Sequence, residues 1–78
     1  MVECNREIVE YLENLVKYLE ALIEKNRAEH SCHVHNITSA CRVLPMLTWD
    51  VENFKMEVEK SMEALKRCVY KEAISEAE

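Results

Sequence analysis

A chain of 78 residues with no glycine and a single proline, Pro45, has almost no means of turning sharply. Glycine is the residue that adopts left-handed backbone without strain, and proline is the one that ends a helix. The backbone is therefore left to run in long helices, and the expected fold class is all-α. The arrangement read from the pattern is an antiparallel three-helix bundle, two helices long and one short, in a single helical domain covering residues 1–78.

Forty-nine per cent of the residues are apolar and 32% are charged. That mixture excludes disorder and suits helices with one buried and one solvated face. Fifteen acidic residues against ten basic give a net charge of -5, the wrong sign for the electrostatic attraction that underlies most nucleic-acid binding. No stretch approaches the roughly 20 apolar residues of a membrane helix. The segment Met1-Val2-Glu3-Cys4-Asn5-Arg6-Glu7 is charged from its third residue, unlike a secretory signal. With Met1 as the start, the expected location is the cytoplasm.

Apolar residues at Ile8, Leu12, Leu15, Leu19 and Leu22 alternate four and three apart, as in a coiled-coil seam, and Val9, Val16 and Ile23 widen the stripe. This predicts a first helix over about residues 3–28. A turn is expected near His30, with Ser31 capping a second helix over about 31–44; an uninterrupted helix reaching Leu44 is the alternative. Pro45 is expected to end that segment. A third helix over about 50–76 follows, capped by Thr48 or Asp50; with Asp50 as the cap, Trp49 and Phe54 form a hydrophobic staple, and Val51, Phe54, Val58, Met62, Leu65 and Val69 are its stripe.

With a rise of about 1.5 Å per residue, the outer helices would be roughly 40 Å long and the middle one about 21 Å, so three such helices cannot lie flush. Apolar tips would then stand uncovered, with Ile8, Val9, Tyr11 and Leu12 at one end and Leu65, Val69, Tyr70 and Ile74 at the other. Together with Leu15 and Leu19 these residues form the expected interface of a homodimer, or of a complex with a helical partner. Neither nucleic acid nor membrane is expected as a partner.

Five of the seven histidines and cysteines, namely His30, Cys32, His33, His35 and Cys41, fall within twelve positions. Thiolate and imidazole are the usual ligands of zinc or copper, which makes Cys32, His33, His35 and Cys41 the candidate metal or thiol-redox set. The spacing is not that of a zinc finger, and no cofactor is expected. Free buried thiols suit a cytoplasmic protein; by axial height, Cys32 and Cys68 are the pair to test for a disulfide. Asn36-Ile37-Thr38 has the form of a glycosylation acceptor but falls inside the expected second helix. Glu7, Glu10 and Glu13 share an E-x-x-E spacing, but the E-x-x-D element that would help them hold magnesium for catalysis is missing. The expected function is therefore a non-enzymatic protein-protein interaction module, an adaptor, scaffold or small regulator, acting through helix packing.

Overall fold

The structure, a computed structural model, describes the backbone of residues 4–77 and the side chains of residues 4–74. Two helices, α1 (Asn5–His33) and α2 (Thr38–Ala77), run antiparallel as one hairpin. It is a rod with extents of 62 × 15 × 14 Å. No strand occurs among the described residues.

The expected break into three helices does not occur. The helix that was to stop at 28 continues to His33, and the segment that was to stop at Leu44 continues through Pro45 to Ala77. Residue 3, the expected start of the first helix, lies outside the described residues. Pro45 lacks the N–H that would bond the carbonyl of Cys41 and, in a helix interior, costs about 3 kcal/mol relative to alanine. Packing and a covalent tie offset this. Leu44 and Leu47 on either side of the proline are half-buried and Val51 one turn further is buried, while Cys41 in the first turn of α2 is bonded to Cys32 in the last turn of α1. A helix stopping at Leu44 would forfeit that alignment. Asp50 therefore lies within α2 rather than capping it, and Trp49 is 68% exposed instead of stapled against Phe54.

The reversal occurs later than His30 and depends on Asn36. Its φ of 55° is the left-handed conformation normally left to glycine, which asparagine tolerates because its short side chain hydrogen-bonds locally. The Val34 amide donates to the His30 carbonyl, the Ile37 amide to that of Ser31, and the Cys41 amide to that of Ile37. The last bond starts α2. Its predecessors close α1.

Covalent ties fix which faces meet. Cys4 pairs with Cys68 at the open end, with Cα atoms 6.0 Å apart, and Cys32 pairs with Cys41 at the turn, with Cα atoms 4.8 Å apart. No cysteine is free, so neither the free thiols nor the Cys32–Cys68 pairing expected from sequence is found. The height argument assumed that the chain reverses at Pro45, which instead lies inside α2. With α2 starting at Thr38, Cys41 comes level with Cys32 and Cys68 with Cys4.

Cys4 and Cys32 are four heptads apart on one row of α1, and α2 lies along that row. The inward positions of α1 are Cys4, Glu7, Tyr11, Asn14, Tyr18, Ala21, Lys25, Ala28 and Cys32, all buried or half-buried. Facing them, α2 presents Leu44, Leu47, Val51, Phe54, Val58, Ser61, Leu65 and Cys68, likewise buried or half-buried. About a third of the way along the seam from the open end, Asn14 Nδ2 donates to Ser61 Oγ, a polar pair that fixes register much as a lone asparagine does in a coiled coil. Lys25 keeps its stem in the seam and its ammonium 3.8 Å from Glu29.

Candidate interaction surface

The seam between the helices is not the aliphatic stripe of α1. At about 100° per residue, the stripe is centred about 120° around the helix from the inward row, because Ile8, Leu12, Val16, Leu19 and Ile23 fall on other heptad positions. The hairpin leaves it outside. Ile8 is 40% exposed, and Val9, Leu12, Val16, Leu19 and Ile23 lie between 48% and 52%; Leu15 and Leu22, nearer the seam, are half-buried. Among the described residues the buried apolar ones are only Cys4, Ala21 and Val51. Six of the eight residues of the predicted stripe are thus left facing solvent.

The exposed part of the stripe, six large side chains each about half accessible, amounts to on the order of 500 Å², near the top of the range for the largest patch on a monomeric protein. Leu12 and Val16 form a shallow groove with Glu13, Lys17 and Glu20. A second groove of about 540 Å³ lies along one edge of the hairpin, where Tyr11 meets Met62, Leu65, Lys66, Val69, Tyr70 and Ala73. The opposite edge is polar, with Lys17 and Glu24 of α1 facing Asp50 of α2 around Leu47 and Phe54. The hairpin therefore has a wet edge and a greasy one.

The two expected overhangs do not stand at opposite ends, because both groups of residues lie at the open end of the hairpin. Residues beyond Cys68 extend past the Cys4–Cys68 bridge, and there Val69, Tyr70 and Ile74 are 45%, 68% and 44% exposed. Ile8, Val9 and Leu12 lie alongside α2 and are exposed sideways, while Tyr11 and Leu65 are half-buried between the helices.

In the His/Cys cluster, Cys32 and Cys41 are bonded to each other, leaving His33 and His35, both exposed, as the remaining ligand candidates of that set. The His35 ring packs edge-on against His30 with centroids 5.0 Å apart. Ligand atoms of Cys4, Glu7 and Cys68 also converge within 4.8 Å, but both sulfurs belong to the open-end disulfide, so a single carboxylate is left. The acceptor triplet Asn36-Ile37-Thr38 straddles the exposed turn and the first residue of α2, instead of lying inside a helix.

The sequence signal for the true seam is its strict sevenfold spacing, with cysteines bounding it on α1 and small Ala21 and Ala28 within it. No helix is long and apolar enough to cross a membrane among the described residues. Comparison with protein-family models, curated proteins and solved structures finds no match for this chain.

Proposed function

We propose that this protein is a non-enzymatic, disulfide-stapled helical hairpin whose function is to pack against another helix along the outer stripe of α1, as a small adaptor, scaffold or regulator. One observation carries the reading. The hairpin spends a small and polar row of α1 on its own closure and leaves its densest Leu, Ile and Val row uncovered, the arrangement that marks an interaction site on a protein surface. A chain needing only intramolecular packing would place those residues in the seam.

The stapling supports a location as well. Two disulfides that consume every cysteine fit an oxidising compartment, where small domains use such bonds to supplement a small core, rather than the cytoplasm expected from the charged amino-terminal segment.

Sedimentation velocity of the wild type and of Leu12→Asp/Leu19→Asp tests the reading. The wild type should sediment above its single-chain mass of 9.2 kDa, and the variant at that mass with its helicity and disulfides unchanged. Equal masses for the two would contradict it.

A further inference from the structure

Resting on the reading just given, we infer that the occupant of the α1 stripe is a second copy of this chain, packed antiparallel across a twofold axis that passes between Leu15 and Val16. An isologous contact needs a patch that matches itself after a half-turn. Reversing α1 about the midpoint of residues 15 and 16 performs that operation on the sequence, and the stripe returns onto itself. Ile8 exchanges with Ile23, Leu12 with Leu19, and Asn5 with Asn26. Val9 exchanges with Leu22 and Leu15 with Val16, aliphatic for aliphatic throughout.

The limits of the stripe carry most weight. Along its central row the residues are Asn5, Leu12, Leu19 and Asn26, so an exposed asparagine stops the apolar run at both ends, equidistant from the proposed axis. Heptad spacing alone would let that row continue in either direction. A heterologous partner would not require the two ends to match.

The available area agrees. The chain exposes 6090 Å², whereas a compact monomer of 9.2 kDa would expose about 4,900 Å². The excess, about 1,200 Å², is that of the whole elongated rod; the stripe supplies about 500 Å² of the roughly 800 Å² that each partner contributes to a stable interface, and the flanking Glu13, Lys17 and Glu20 lie beside it. Two rods laid side by side along α1 would make a four-helix assembly with both disulfides of each copy away from the axis.

The test is distance measurement by pulsed electron spin resonance on the intact, oxidised chain. A spin-labelled amino acid would be introduced without cysteine chemistry at Glu20 or Arg27, both exposed. About the proposed axis the separation between equivalent residues grows by about 3 Å for each residue from the midpoint, twice the helical rise. With helix axes about 10 Å apart, backbone separations of about 17 Å at position 20 and about 36 Å at position 27 are expected. A dimer with equal separations at the two positions would be parallel and would overturn the proposal, as would a trimer or a monomer. If Leu12→Asp/Leu19→Asp still dissociates a parallel dimer or a trimer, the stripe remains the contact surface and only the twofold arrangement falls. If those substitutions leave the mass unchanged, the interaction reading itself falls.

Discussion

Removing the open-end disulfide by Cys4→Ala/Cys68→Ala should destabilise the hairpin more than removing the one at the turn. Cys4 and Cys68 are 64 residues apart, and with the turn bridge intact the loop that their bond closes still contains about 57 residues. Loop-closure entropy for that length corresponds to about 4.2 kcal/mol. Cys32 and Cys41 are only 9 positions apart in sequence, and for the loop of about 10 residues that their bond closes the same relation gives about 2.7 kcal/mol. A 78-residue domain typically has about 4 to 12 kcal/mol in total, and here the buried apolar residues number three among those described. The open-end bond thus accounts for a large part of the stability. Urea unfolding of both double variants, at one fixed protein concentration because association adds to apparent stability, should rank them with a gap of about 1.5 kcal/mol. A smaller loss for the Cys4/Cys68 variant than for Cys32→Ala/Cys41→Ala would refute the reasoning, since it would mean that packing alone holds the open end.

Pro45→Ala restores an N–H opposite the Cys41 carbonyl; set against the added freedom of the unfolded chain, the gain should be about 2 kcal/mol, visible as a higher urea midpoint with an unchanged slope. No gain would mean that the helix is not regular through that position. Asn36→Val should cost about 1 to 2 kcal/mol, and Asn36→Gly little or nothing, because valine resists the left-handed backbone at the turn; thermal melts of the two variants check the order.

Helical content was legible from the absence of glycine and from the apolar periodicity, but the number of helices was not. Pro45 reads as a terminator from local rules, and what keeps α2 continuous is non-local, namely the bond from Cys41 to Cys32 and the inward packing of Leu44, Leu47 and Val51. The reversal was hidden for a related reason. Asparagine is only an occasional substitute for glycine in left-handed backbone, so Asn36 carried a weak signal beside the polar run from Asn26 to His33. The stripe through Ile8, Leu12, Leu15 and Leu19 was evident from spacing alone, and so was its candidacy as an interface. Its position on the hairpin was not evident, because that depends on which row the cysteines commit to the seam. Pairing Cys4 with Cys68 selects the Tyr11, Asn14 and Tyr18 face and turns the aliphatic one outward.

The central claim, that the outer stripe of α1 is a contact surface, is tested most directly by the solvent accessibility of its methyl groups. In methyl spectra of the oxidised protein at about 100 μM with a soluble paramagnetic agent, the signals of Leu12, Val16 and Leu19 should be protected. Those of Met46 and Met56, which are 58% and 53% exposed on α2, should be bleached. Bleaching of Leu12 and Leu19 to the same extent as the two methionines would contradict the account.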